Sequence, residues 1–126
     1  MNANSLQGLK VLNLILGFSF VLLSSSAGFF LAKDSSYALL ENQEFLKSWL
    51  YNLQKSSHAH TNLFGLLHIA YGVSFSFSFS SLKTKALETL GLFLGSLAMS
   101  LLLFLRAYFP LLKGQFDYLG NLMGFF

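Results

Sequence analysis

All three histidines of this chain lie within one short stretch. Residues 57–68 read Ser-His-Ala-His-Thr-Asn-Leu-Phe-Gly-Leu-Leu-His and contain His58, His60 and His68. Imidazole nitrogens ligate heme iron and ions such as zinc. Because the chain has no cysteine, these histidines are its main candidates for holding a cofactor or a metal.

Two heme models follow from the spacing of the histidines. His60 and His68 would lie about 12 Å apart along a helix, so one iron cannot take both. Antiparallel pairing of the helices before and after Lys83 would put His68 level with Met99 and His60 level with Arg106. In the first model His68 and Met99 ligate a b-type heme, with Arg106 near its propionates. In the second, His60 is the ligand and its partner lies in another chain.

The same histidines also permit interpretations without heme. A neutral His68 can hydrogen-bond a neighbouring helix, although an ionisable residue in a membrane is by default a functional hypothesis. His58 and His60 can bind zinc or copper if the chain is extended there, since alternate side chains then point the same way. Otherwise they cap a helix or face lipid headgroups. If a cofactor is bound, we expect an open slot beside His60 or His68. If the histidines are structural, we expect side chains to pack around both of them.

The composition is that of a membrane protein. Of 126 residues, 54% are hydrophobic and 10% are charged, and the mean hydropathy is +0.58; soluble domains carry about 25% charged residues. The net charge of +3 comes from residues between the apolar runs, which suits lipid headgroups and excludes the clustered basic face of a nucleic-acid binder. No residue pattern indicates a catalytic nucleophile or a nucleotide site.

The apolar segments predict an all-α, integral membrane helical bundle with three to four transmembrane helices in a single domain over residues 1–126. A helix needs about 20 apolar residues to cross a bilayer. The predicted spans cover residues 11–32, 61–81 and 87–109, with a partial fourth at 116–126.

Three segments between and within these spans need a separate argument. Residues 36–55 place apolar side chains at helical spacing and predict an amphipathic interfacial helix. The alternating Ser and Phe residues at 74–80 resemble a strand, but an isolated strand in lipid leaves its backbone unpaired, so we expect a helix. Small residues at Ser25 and Ala27 also fit a signal-peptidase site. The apolar run continues past them, which favours a retained first helix.

Pairs of small residues predict where helices meet. Gly65 and Gly72 flank His68 and leave a flat surface for a second helix or a macrocycle. Two further pairs predict contacts with other membrane subunits or with a second copy of the chain. These pairs are Gly91 with Gly95 and Gly120 with Gly124.

The histidine stretch also carries a resemblance. Residues 58–65 read His-Ala-His-Thr-Asn-Leu-Phe-Gly and resemble the His-Ala-His-x-Asn-Leu-x-Gly stretch of short bacterial membrane proteins related to subunit I of heme-copper oxidases and nitric oxide reductases. In the large enzymes the His at the start of the second helix ligates the low-spin heme, and the matching position here is His60. Their partner heme ligand and copper-binding histidines come from later helices that have no counterpart in this sequence.

What the resemblance implies is a small heme-associated membrane protein of respiratory type in a bacterial inner membrane. It would act as an electron-transfer or accessory subunit rather than as a catalytic subunit, with His60 the first candidate ligand and His68 the second. The competing hypothesis is a cofactor-free structural or interaction subunit of a larger complex. A third is a metal-ion binder that uses His58 and His60.

Overall fold

The computed structural model describes residues 3–108, and this part of the chain is helical with no strand. The helices in order are α1 (Ala3–Glu41), α2 (Gln43–Leu46), α3 (Trp49–Ser74), α4 (Leu82–Leu97), a π-helical turn (Ala98–Leu102) and α5 (Leu103–Tyr108). The predicted all-α class is therefore confirmed. The proposed partial span at 116–126 lies outside the described residues.

Two of the helical segments are long and apolar enough to cross a membrane. One covers Asn4–Glu41, with 38 residues, and the other runs from Leu82 through the π-helical turn to Arg106, with 25 residues. Each exceeds the about 20 residues that a bilayer requires. Length and composition thus support membrane association for these two segments.

The side chains of residues 4–106 are distributed differently from those of a typical water-soluble protein. Many large apolar side chains point outward, and Leu22, Phe29 and Leu87 are 68%, 69% and 69% exposed. The buried polar and charged side chains are Asn13, Ser24, Ser57, His68, Lys85, Thr89, Ser96 and Ser100, and the buried apolar ones are Phe20, Ala38, Phe75, Ala98 and Leu103. Soluble proteins mostly expose polar residues, whereas the interior here contains many of them.

Glycines let α1 and α3 approach closely. A Cβ at Gly17 would lie 2.7 Å from the carbonyl oxygen of Gly65, and a Cβ at Gly65 would lie 3.0 Å from that of Gly17. Gly72 likewise meets Asn13 and the backbone of Lys10. The flat surface beside His68 is thus occupied by α1, one of the two occupants that the sequence allowed.

The segment predicted as one interfacial helix, residues 36–55, is divided in the structure. Its first residues continue α1 to Glu41, and Asn42 then leaves the helical conformation with φ −150° and ψ 74°. Ser48 starts α3, because its hydroxyl accepts a hydrogen bond from the backbone N–H of Tyr51 at 3.1 Å. Such an N-cap satisfies one of the free amides of a new helix.

The Ser and Phe repeat is not helical beyond Ser74, which differs from the expected helix. The carbonyl oxygens freed there are bonded by Lys85, whose Nζ donates to Phe75 at 3.1 Å and to Ser78 at 2.9 Å. Lys85 is only 1% exposed. A cation beside the carbonyl end of a helix is also favoured by the helix dipole. Lys85 therefore closes the turn between α3 and α4.

We expect the substitution Lys85→Met to lower the free energy of unfolding by about 2 kcal/mol, because it leaves two carbonyl groups without their donor. Methionine keeps the length and apolar stem of lysine, so the packing changes little. The matched control is Lys83→Met on the exposed face of the same turn. Hydrogen exchange should accelerate at Phe77 and Ser78 in the first variant alone, and equal exchange in the two would contradict the role of Lys85.

Candidate functional site

His68 lies at the centre of the helix bundle. Its Nδ1 is 2.9 Å from Oδ1 of Asn13 on α1, and its Nε2 is 3.2 Å from Oγ of Ser96 on α4. The ring stacks on Phe20 with the two ring centroids 5.8 Å apart, and the side chain is 0% exposed. His68 thus connects three helices through a single side chain.

Asn13 fixes the tautomer of His68. Its amide nitrogen donates to the carbonyl of Leu9 at 3.0 Å and to Oγ1 of Thr89 at 2.9 Å, so Oδ1 is the acceptor that faces the ring. The hydrogen of His68 is therefore on Nδ1, and Nε2 lies against Oγ of Ser96, whose hydroxyl donates to the carbonyl oxygen of Leu92 at 2.6 Å. Both ring nitrogens thus lie against side chains inside the protein.

The other parts of the first heme model lie elsewhere in the structure. The residue that faces Nε2 of His68 is Ser96, whereas Met99 lies in the π-helical turn. The guanidinium carbon of Arg106 is 5.1 Å from the ring centroid of Trp49, at the start of α3, rather than level with His60. The structure thus places Ser96 against His68 and Arg106 against Trp49.

His60 is half-buried, and its ring bonds within its own helix. Nδ1 is 2.8 Å from the carbonyl oxygen of Ser56. A carbonyl only accepts, so Nδ1 carries the hydrogen and the lone pair is on Nε2, which has no hydrogen-bond partner among the described residues. Histidines that ligate metals commonly have their second nitrogen held in this way.

His58 bonds to the first helix instead. Ser24 donates to the carbonyl oxygen of His58 at 3.1 Å, and its Oγ is also 3.1 Å from Nδ1. Because the single hydroxyl hydrogen is used on the carbonyl, Nδ1 is the donor to Ser24 and Nε2 carries the lone pair. The ring edge lies against Gly28, where a Cβ would be 2.6 Å from Cε1.

The two histidines do not converge on a common ion in this structure. Residues 58 and 60 are both within α3, and side chains two positions apart on a helix point about 200° apart. Their partners, Ser24 and Ser56, lie on different helices. Within residues 3–108, no group of three or more His, Cys, Asp or Glu side chains is placed to hold a metal ion.

A cleft of 530 Å³ opens beside His58, between α1, α3 and the helix that carries the π-helical turn. Its walls are mainly apolar, with aromatic side chains from Phe20, Phe30 and Phe104. The hydroxyl of Ser57, next to His58, donates to the carbonyl oxygen of Ser100 at 2.7 Å and joins α3 to the π-helical turn. The cleft has the size and character of a small-molecule site.

Of the predicted helix-contact pairs, the structure describes Gly91 and Gly95. A Cβ at Gly95 would lie 3.7 Å from the ring of Phe64, and a Cβ at Gly91 would meet no atom of another helix within 4 Å. Gly120 and Gly124 lie beyond the described residues.

Sequence reasoning missed the partners of the histidines, Asn13, Ser24 and Ser96. An asparagine inside an apolar run was a usable signal, since buried amides require partners.

The chain matches no protein-family model, no curated protein and no solved structure.

Proposed function

We propose that this protein is an integral membrane subunit with a structural or interaction role, built around His68 without a cofactor at that position. The observation that carries the proposal is the enclosure of His68, which is 0% exposed and has Asn13 against Nδ1 and Ser96 against Nε2. A ring with a side chain against each nitrogen leaves no open position for an iron. This is the arrangement expected if side chains fill in around a histidine that joins helices.

The proposed setting is a lipid bilayer, with α3 as a third span between the two apolar helical segments. α3 has 26 residues, or about 39 Å at 1.5 Å per residue, which exceeds the about 30 Å hydrocarbon core. Its buried polar side chains, Ser57 and His68, face neighbouring helices, while Leu63 and Leu66 are more than half exposed. Outward leucines and inward polar groups suit lipid as the solvent.

Gly91 is the proposed contact point for another helix. A Cβ at this position would meet no atom of another helix within 4 Å, and the neighbouring Leu87 and Leu90 are 69% and 52% exposed. Small residues on a lipid-facing surface allow close approach of a partner helix. The partner is another membrane subunit or a second copy of this chain.

Two measurements test this proposal. Alkaline carbonate extraction should leave the protein in the membrane pellet, whereas release into the supernatant would exclude a spanning protein. Native electrophoresis in mild detergent should show a species larger than the monomer, which Gly91→Leu shifts towards the monomer. The matched control is Gly8→Leu, since a Cβ at Gly8 would also meet no atom of another helix within 4 Å. A monomer with the unmodified sequence would contradict the interaction role.

A second candidate function is the heme-associated respiratory subunit of a bacterial inner membrane, with His60 as the ligand. The observation that favours it is the hydrogen bond from Nδ1 of His60 to the Ser56 carbonyl at 2.8 Å. Because Nδ1 carries the hydrogen, the lone pair that could bind iron is on Nε2 of this half-buried ring. A heme at that position would supply one-electron transfer, with its second ligand in another chain. His60 would then orient the group and set its ligand field.

An oxidised-minus-reduced visible spectrum separates the two candidates. If heme is bound, the purified protein shows sharp reduced α and β bands that are lost in His60→Ala and kept in His68→Phe. The structural proposal predicts a featureless spectrum from folded protein made with ample heme. Bands that survive His60→Ala would exclude His60 as the ligand.

A further inference from the structure

The cleft beside His58 has walls that suit a hydrophobic molecule. Its volume is 530 Å³, and leucine and phenylalanine supply seven of its fifteen lining residues. Sites for small ligands combine such walls with a few placed polar groups that fix orientation. Two groups of that kind lie on this lining, one from Ser100 and one from His58.

Ser100 is buried, with 6% exposure, and its hydroxyl has no hydrogen-bond partner among residues 3–106. This is unusual within the chain, because helical hydroxyls such as those of Ser25, Thr61 and Ser96 donate to the carbonyl four residues earlier. Ser100 lies in the π-helical turn, and such turns are frequent at functional sites. A buried hydroxyl without a partner costs about 1 to 3 kcal/mol, so a ligand that accepts from it gains affinity.

His58 supplies the complementary group. Its Nδ1 hydrogen is used on Ser24, so Nε2 is an acceptor, and it has no hydrogen-bond partner within the described chain. His58 and Ser100 both line the cleft, and Ser57, the residue before His58, donates to the Ser100 carbonyl. A ligand hydroxyl can accept from Ser100 and donate to His58, whereas a carbonyl can only accept.

The charges on the cleft exclude acidic ligands. Asp34 lines it, and no lysine or arginine does so in the part of the chain that the structure describes. A phosphate or carboxylate head would meet a like charge without a compensating cation. A neutral head avoids this cost.

We propose that the cleft binds a neutral membrane-soluble molecule with a hydroxyl head and a hydrophobic body, of the chemistry shared by long-chain phenols and diglycerides. The head lies between Ser100 and His58, and the body lies against the phenylalanine walls. The inference goes beyond the structural role and rests on the proposed placement of the helices in a bilayer, from which such a molecule would enter.

The test uses the full chain in phosphatidylcholine nanodiscs and a photoactivatable 4-decylphenol. Cross-linked sites, mapped by mass spectrometry, should fall within residues 20–34, 54–61 and 97–104, which line the cleft. Unlabelled 4-decylphenol should compete at least about tenfold better than decylbenzene, which lacks both hydrogen bonds, and better than 4-decylbenzoate, which is anionic. Competition by dioleoylglycerol distinguishes a glyceride from an aromatic ligand.

Substitutions distinguish the effect of losing a polar group in the cleft from a general effect on the fold. Ser100→Ala should weaken competition by 4-decylphenol about fivefold to tenfold, and it breaks no side-chain bond in the described structure. The matched control, Ser25→Ala, removes a hydroxyl that bonds only its own helix and should leave competition unchanged. Ala27→Trp places a large side chain on the lining and should abolish labelling.

Three outcomes would overturn the inference. The first is labelling spread over the lipid-facing surface, and the second is equal competition by decylbenzene and 4-decylphenol. The third is a cross-link between cleft residues and residues 109–126, which would show that the chain itself fills the cleft. Carbonate extraction is independent of these results, so loss of the ligand proposal leaves the proposed membrane role standing.

Discussion

The variant His68→Ala is expected to lose about 3 to 5 kcal/mol of unfolding free energy. Truncating a fully buried ring leaves a cavity, which costs about 2 to 5 kcal/mol in comparable cases. It also removes the two ring nitrogens that face Asn13 and Ser96. A buried polar group left without its partner adds about 1 to 3 kcal/mol. Reversible unfolding in mixed micelles measures the loss.

The control for this prediction is His60→Ala. His60 is half-buried and bonds only within its own helix, so the expected loss is below about 0.5 kcal/mol. A double-mutant cycle between Asn13→Ala and His68→Ala should give a coupling energy of about 1 to 3 kcal/mol. Additive effects would show that the two side chains do not stabilise each other.

The second large effect is expected at Gly17. In Gly17→Ala the new methyl group meets backbone atoms of α3, the Gly65 oxygen at 2.7 Å and the Ile69 nitrogen at 2.9 Å. Backbone cannot rotate away as a side chain does, so α1 and α3 must separate. We expect a loss of about 2 kcal/mol, within the range for overpacked cores.

The same substitution at Gly8 should have the opposite sign. Gly8 is also in α1, and a Cβ there would meet no atom of another helix within 4 Å, so Gly8→Ala gains helix propensity worth up to about 1 kcal/mol. Thermal unfolding in one detergent compares the two variants directly. If both raise the melting temperature, the close approach of α1 and α3 is not present in solution.

Helix identity was predictable from the sequence because the apolar runs are long and few charges interrupt them. The position of α1 against Gly65 and Gly72 was also within reach, since glycines beside a buried histidine leave room for a helix. The helix ends were less predictable. The end of α3 at Ser74 depends on Lys85, and no local pattern indicates that a lysine from the next helix will bond those carbonyls.

The histidines illustrate the same limit. Their residue types indicate ligand chemistry, but their roles depend on which atoms face them. Asn13 is 55 residues from His68 in the chain and Ser24 is 34 residues from His58, so neither pairing follows from local spacing. The expected alignment of His68 with Met99 assumed regular helix on both sides of a short turn at Lys83, whereas residues 75–81 are non-helical and Ser96 is the residue against Nε2 of His68.

The π-helical turn at Ala98–Leu102 interrupts the last helix between α4 and α5. One added residue rotates everything beyond it by about 100°. The half before the turn directs Ser96 to His68, and the half after it directs Arg106 to Trp49. A regular α-helix with the same number of residues would turn one half by about 100° relative to the other, so it could satisfy only one of these two contacts. The π-helical turn takes up the extra residue and lets both contacts form in one continuous helix.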